Sequence, residues 1–184
     1  MYKVYRKIIL ACLLLIVAST VCGQRVTQTI NDGWKFSLFE GDASTADFDI
    51  SGWTDVSIPH TWNAKDADDE IPGYFRGKGW YRKVVAVEEL IPEQRVYLSF
   101  EGANQETNVF VNGTFVGNHK GGYSAFTFDV TDYVHAGLNL IAVSVDNSHN
   151  PDIAPLSADF TFFGGIYRDV YLVYTSPVQL STTH

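Results

Sequence analysis

Val109-Phe110-Val111-Asn112-Gly113-Thr114-Phe115-Val116 decides the fold class. Two triplets rich in β-branched and aromatic residues flank an Asn-Gly pair. Both central positions of a type I′ turn need φ > 0, which Asn and Gly tolerate best, so the stretch predicts a β-hairpin. The same chemistry recurs on either side. Residues 95–100 alternate, with Val96, Leu98 and Phe100 on one face. Residues 80–87, 107–111, 125–130, 140–145 and 166–174 are rich in strand-forming side chains. Asn112-Gly113, Gly121-Gly122, Ala136-Gly137 and Gly164-Gly165 separate them as turns. A sustained 3.6-residue apolar period is missing, and only short helical turns are expected, at 43–48 and 130–134. In the second, Asp129 or Thr131 would cap the start and Gly137 would close the end. Many short strands at this spacing predict an all-β antiparallel sandwich or jelly roll.

Residues 1–23 read as a secretory signal peptide: a basic start with Lys3, Arg6 and Lys7, an apolar stretch over 8–18, then the small-residue run Ser19-Thr20-Val21-Cys22-Gly23. The apolar stretch is too short to span a bilayer with ease. The expected location is secreted or periplasmic. A lipid anchor on Cys22 is the disfavoured alternative, because the bulky Val21 stands where such signals carry a small residue. The chain has 184 residues, 13 Lys+Arg and 21 Asp+Glu, for a net charge of −8. Three of the basic residues and both cysteines, Cys12 and Cys22, fall in the signal, so the remaining domain, 24–184, is more acidic still and free of cysteine. That excludes a disulfide framework and Cys-ligated metals. The acidic balance argues against nucleic-acid binding, which needs Lys and Arg at phosphates. A composition of 46% hydrophobic and 14% aromatic residues argues against disorder. No later stretch is a membrane-span candidate, and the length suits one domain.

Several catalytic classes drop out. Gly73-Tyr74-Phe75-Arg76-Gly77-Lys78-Gly79 has one residue too few for a phosphate loop, and Gly follows the Lys. The acidic run Asp66-Ala67-Asp68-Asp69-Glu70 offers oxygens for a hard cation such as Ca²⁺ but lacks the EF-hand pattern, and a solvated acidic loop explains it better. The five histidines show no metal-ligand spacing; His60, between Pro59 and Thr61-Trp62, suits a buried structural role. Asn112-Gly113-Thr114 matches a glycosylation sequon, for which the hairpin turn is sufficient explanation. No Gly-x-Ser-x-Gly is present. Glycoside hydrolysis needs two carboxylates about 5–10 Å apart; Glu101, Glu106, Asp146 and Asp159 are candidates that spacing alone cannot pair. Carbohydrate binding fits better. Asn, Asp and Arg match hydroxyls, and aromatic rings match the apolar faces of sugars. The long loops at 63–79 and 147–165 hold such groups: Trp62, Asp66, Tyr74, Arg76 and Trp80 by the first, Asn147, His149, Asn150, Asp152 and Asp159 in the second.

At this point a family resemblance is legible. Trp53-Thr54-Asp55-Val56-Ser57-Ile58-Pro59-His60-Thr61-Trp62 resembles the W-x-x-V-x-[LI]-P-H-x-W segment of glycoside hydrolase family 2. Gly79-Trp80-Tyr81-Arg82-Lys83 is similar to that family's G-x-x-W-Y-R-[KR] strand start, with a single Gly directly before Trp. Phe100-Glu101-Gly102-Ala103, Val109 to Gly113, and Val116 to Tyr123 follow its F-E-G … V-N-G … V-G-x-H-x-G-G-Y run. Asn139 to Val143 follows N-x-[IL]-A-V, and Gly164-Gly165-Ile166-Tyr167-Arg168-Asp169-Val170 follows G-G-I-Y-R-D-V. In this order the strings span Trp53 to Val170.

The resemblance implies the amino-terminal sugar-binding domain of β-galactosidase-like, β-glucuronidase-like and β-mannosidase-like enzymes, a jelly-roll β-sandwich of the galactose-binding-domain-like type. It implies partner domains, immunoglobulin-like and a (β/α)₈ barrel, the latter holding the two glutamates of a retaining mechanism. Nothing in this chain resembles either, so no catalytic residue is assigned, the chain alone is expected to be inactive, and it reads as a fragment of such an enzyme. Asp159, six residues before Gly165, looks like the aspartate that in family β-galactosidases helps hold the sugar and a sodium ion. Arg76 stands nearest the place of an Asn that touches sugar in some members, and could bind a hydroxyl or a carboxylate. Arg168 and Asp169 are expected to form a structural ion pair. Substrate contact is thus expected from Asp159, Arg76, Trp62 and Asp66, with no required cofactor and a possible sodium or calcium ion at Asp159. A stand-alone lectin-like carbohydrate-binding module is the alternative reading.

Overall fold

The hairpin predicted at Asn112-Gly113 forms, with φ of 51° and 81° at its two central residues. It joins β6 (Glu106–Val111) to β7 (Thr114–Lys120), with Val111 opposite Thr114. The computed structural model describes residues 25–66, 73–157 and 159–176. The expected signal segment at 1–23, and the acidic run beyond Asp66, lie outside the described residues. The other strands are β1 (Arg25–Thr29), β2 (Trp34–Leu38), β3 (Thr54–Val56), β4 (Lys78–Val87), β5 (Arg95–Phe100), β8 (Phe126–Asp129), β9 (Gly137–Asp146) and β10 (Val170–Thr175). They form a four-stranded sheet in the order β1-β10-β5-β8 and a six-stranded sheet in the order β3-β2-β4-β9-β6-β7. Every pairing is antiparallel. Among the described residues there is no helix. The fold is the all-β, two-sheet jelly-roll sandwich.

Strand alternation builds the core. Tyr81, Val85 and Val87 of β4, Val109 and Val111 of β6, and Ile141, Val143 and Val145 of β9 point inward from the large sheet. Val96, Leu98 and Phe100 of β5 meet them from the small sheet with Val170 and Leu172 of β10. Each fully buried aliphatic or aromatic side chain contributes about 1.5–3 kcal/mol relative to exposure, so this interior fixes the register: a slip of one residue would expose it. A second, smaller cluster sits on the outer face of the large sheet. There Trp80 and Ala142 pack with Ala43, Phe48, Trp53 and Phe110. The Trp80 indole donates to the Gly41 carbonyl (3.0 Å), so this side chain faces away from the loop it borders in sequence.

The two expected helical turns differ. Residues 130–134 make a single turn, with the Val134 amide on the Val130 carbonyl at 3.2 Å and Asp129 accepting from the Thr131 amide. Residues 43–48 make only a tight turn closed by Phe48 N–H on the Thr45 carbonyl. β1 pairs with β10 in full register, Arg25 opposite Thr175.

Candidate functional site

The loops at 60–66, 73–77 and 147–165 converge at one end of the sandwich, and two buried asparagines bind them together. Asn147 follows β9, where the inward alternation Ile141, Val143, Val145 continues into a polar residue with no exposed surface. Its Oδ1 accepts from the Gly77 amide (2.8 Å), and its Nδ2 donates to the Phe162 carbonyl (2.8 Å) and toward Asn63 Oδ1 (3.4 Å). Asn63 in turn accepts from the Gly164 amide (2.6 Å) and donates to Asp66 Oδ2 (2.7 Å) and the Phe75 carbonyl (2.8 Å). A buried amide is stable only when its donors and acceptors are paired, and these two pair each other and four backbone groups, those of Phe75, Gly77, Phe162 and Gly164.

The sequence-predicted residues take distinct places around this lock. Asp66 staples its loop, accepting from Asn63 and from the Phe75 amide (2.8 Å) through the same oxygen. Trp62 stacks on Phe36, with ring centroids 5.9 Å apart. A Cβ on Gly164 would run into the Trp62 ring, so that site tolerates glycine alone. The Trp62 indole N–H is buried and meets no acceptor among the described residues. Arg76 donates through Nε to the Asn147 carbonyl (2.6 Å) and through Nη2 to Gln105 Oε1 (3.5 Å), and its guanidinium lies 5.1 Å from the Phe162 ring centroid and 5.9 Å from that of Tyr74. Its other N–H groups meet no acceptor among the described residues. Asp159 is exposed, with no hydrogen bond or ion pair among the described residues. Its neighbour Phe160 packs on Phe162 (5.4 Å), which lies under Arg76. The structure therefore ties Asp66 and Arg76 to the asparagine lock, places Trp62 beside it, and leaves Asp159 outside hydrogen-bond contact with all three.

An apolar surface frames these groups. Phe160 is 52% exposed, Tyr123 47%, Phe75 46% and Phe163 46%. Tyr123 meets Phe160 edge-on at 6.4 Å. Burial, with Tyr167 and Tyr74 nearby, pushes the Tyr123 phenol above its ordinary pKa. Of these four, Tyr123 and Phe160 form one exposed aromatic pair.

Two expectations are corrected. Arg168 and Asp169 do not pair. Asp169 accepts from Asn31 Nδ2 (2.9 Å) and from the Tyr171 hydroxyl (3.0 Å), while Arg168 lies over the Tyr167 ring at 5.5 Å. The hydrogen bond to Asp169 pushes the Tyr171 phenol up to about 12. Trp80, grouped with the first loop in sequence, packs on the far face of the large sheet. As for a cation at Asp159, among the described residues no group of three or more His, Cys, Asp or Glu side chains could hold a metal ion. Calcium takes about six to eight oxygens; one isolated carboxylate does not make that site. His60 is half-buried, with Nδ1 2.8 Å from the Tyr81 hydroxyl, and burial lowers its pKa. Burial also raises the Tyr81 phenol, so both partners of this hydrogen bond are neutral. Sequence reasoning missed the joint role of Asn63, Asn147 and Gln105. The readable signal was the strand alternation of β9, which runs on to place Asn147 inside.

Comparison with known proteins places these features in a lineage. The family model described as "Glycosyl hydrolases family 2, sugar binding domain" matches residues 27–177. The chain is 37% identical over 172 residues to a beta-glucuronidase of Bacteroides fragilis, a match covering 91% of this chain and 23% of that protein. It is 40% identical over 157 residues to a beta-galactosidase of Thermoanaerobacter pseudethanolicus, covering 80% and 19%. Among solved structures, Bacteroides uniformis beta-glucuronidase 2, covalently bound to cyclophellitol-6-carboxylate aziridine, superimposes with a TM-score of 0.76 at 46% identity, covering 82% of this chain and 18% of that one. The chain thus spans about a fifth of the length of these relatives. With its two-sheet sandwich, its converging loops and a family match over nearly all of the described residues, the chain belongs to glycosyl hydrolases family 2, as the sugar binding domain of that family.

Proposed function

We propose that this domain serves a secreted β-galactosidase-like or β-glucuronidase-like enzyme that hydrolyses O-glycosyl bonds, and that its loop end meets both the sugar and the catalytic domain. The carrying observation is the Asn63–Asn147 lock, which holds Arg76 in a fixed pose beside the exposed surface of Phe75, Tyr123, Phe160 and Phe163. In this reading Asp159 accepts hydrogen bonds from sugar hydroxyls, Arg76 donates to a hydroxyl or a sugar carboxylate through its uncommitted N–H groups, and the exposed rings pack against the adjoining domain. The two catalytic glutamates lie in that domain. A cation at Asp159 would draw its other oxygens from the sugar and the partner domain. The exposed aromatic surface favours this reading over a stand-alone lectin-like module, whose surface would be polar outside one sugar site.

The test is kinetic, in the full-length enzyme. Asp159→Ala should lower kcat/KM on a nitrophenyl glycoside at least tenfold without moving the thermal midpoint, and Arg76→Gln should change the ratio of activity on β-glucuronide to that on β-galactoside. Unchanged kinetics in both variants would refute the assignment. The purified chain by itself should not cleave either substrate. Calorimetric binding of galactoside to that chain, with no partner present, would instead favour the lectin-like module.

A further inference from the structure

A pocket lies on the outer rim of the large sheet, where the end of β9 and the loop at 147–153 meet the start of β6. Its volume is about 150 Å³, and none of the four site residues discussed above lines it. Glu106 and Asp146, opposite one another on β6 and β9, form one wall. Pro151 and Ile153 supply an apolar part, with Ile153 only 5% exposed. Gln105, 4% exposed, Ser148, His149 and Asn150 complete it.

The two amides and the two carboxylates here each have one atom fixed by the protein and one left over. Gln105 Oε1 accepts from Arg76. Arginine only donates, so the oxygen must face Arg76, and the amide Nε2 of this buried residue carries two N–H groups with no acceptor among the described residues. Asn150 Oδ1 is held by the Asp152 amide (2.9 Å), which leaves its Nδ2. Glu106 Oε1 takes Asn118 Nδ2 (3.1 Å), with Lys120 Nζ at 3.9 Å, which leaves Oε2. Asp146 Oδ1 takes the Ser148 amide (2.8 Å), which leaves Oδ2. Amide donors of Gln105 and Asn150 and carboxylate acceptors of Glu106 and Asp146 therefore remain around one cavity, beside the Ser148 hydroxyl and the His149 ring, which can each donate and accept.

That inventory selects a ligand class. An ammonium group donates only and would leave the Gln105 amide unpaired. A carboxylate or phosphate accepts only and would face Asp146 and Glu106. A neutral polyhydroxylated ring serves both, since every hydroxyl donates and accepts, and its C–H face matches Pro151 and Ile153. A cavity of about 150 Å³ admits a six-membered ring. The geometry points to a secondary glycan subsite here that binds one neutral pyranose residue; it adjoins Arg76 through Gln105 but is lined by neither Arg76 nor Asp159, and it does not rest on the function proposed for them.

The experiment is a ¹H–¹⁵N titration of the chain with methyl β-galactopyranoside, and in separate arms with glucosamine and galacturonate. The neutral glycoside should give saturable shifts of the Gln105 and Asn150 side-chain amides and of the Ser148 backbone amide. Asn150→Ala, on the loop, and the isosteric Asp146→Asn should each weaken that binding at least tenfold, with the rest of the spectrum unchanged as proof of folding. Absence of saturable shifts at these amides, tighter binding of either charged sugar, or unaltered affinity in both variants overturns the proposal. Because these readouts exclude Asp159 and turnover, failure here is distinct from failure of the function proposed above.

Discussion

At the scale of single residues, Asn147 concentrates the most consequence in the fewest atoms. Replacing it by Ala strands the Gly77 amide and the Phe162 carbonyl, each at about 1–3 kcal/mol. Asn147→Ala is expected to lower stability by about 2–5 kcal/mol, read as a fall in the urea midpoint. His60 gives a pH dependence. Its folded-state pKa lies below its ordinary value because it is half-buried, so below about pH 6.5 the unfolded chain binds the proton more readily. Stability is therefore full above that pH, falls as pH drops through it, and levels off below the folded pKa. The partly buried His119, stacked on Phe126 at 4.1 Å, acts in the same direction. The urea midpoint should fall between pH 7.5 and 5, and less steeply in His60→Gln. Residue roles were the least legible layer of the sequence. Asn63 and Asn147 meet across 84 positions, a closure that no local pattern encodes. Adjacent opposite charges suggested an Arg168–Asp169 pair, but in the bend before β10 Asp169 finds Asn31 and Tyr171 instead, and Arg168 lies over Tyr167.

At the scale of elements, the β6–β7 hairpin shows how far local chemistry reaches. Asn112 does more than permit the turn: its Nδ2 donates to the Tyr133 carbonyl and to Asn139 Oδ1 (both 2.9 Å), and its Oδ1 accepts from the Leu140 amide (2.9 Å). Asn112→Ala should cost about 1–3 kcal/mol through these bonds and lower the thermal midpoint. Because both Nδ2 hydrogens are engaged, the folded chain should carry no glycan at Asn112 when made in a glycosylating host, as intact mass would show. The pairing shifts between Val109 and Phe110, so the β7 residue Val116 forms a bulge. β5 was legible to the residue and β4, β6, β8, β9 and β10 to within a few, because alternation and Gly-bearing turns mark them. β1 to β3 were not. β1 is exposed along its whole length, and β3 has three residues; strands this short or this polar exist because partners recruit them, which is tertiary rather than local information.

At the scale of the whole molecule, the two sheets share a single interior, with Trp34, Tyr81, Phe100 and Leu172 all fully buried in it. Unfolding should thus be one cooperative transition, with near- and far-ultraviolet dichroism coincident in urea; separated transitions would mean that the sheets melt independently. The placement of β1 against β10 has another use. Arg25 and Thr175 are ladder partners, so the described strands leave the sandwich at adjacent points on one sheet edge. A module with neighbouring entry and exit can be spliced into a host loop, or circularly permuted by a short bridge and reopened at the exposed turn between Ile91 and Gln94. In engineering terms it is a cassette: its loop end could be carried to another scaffold while the host chain around the insertion keeps its path.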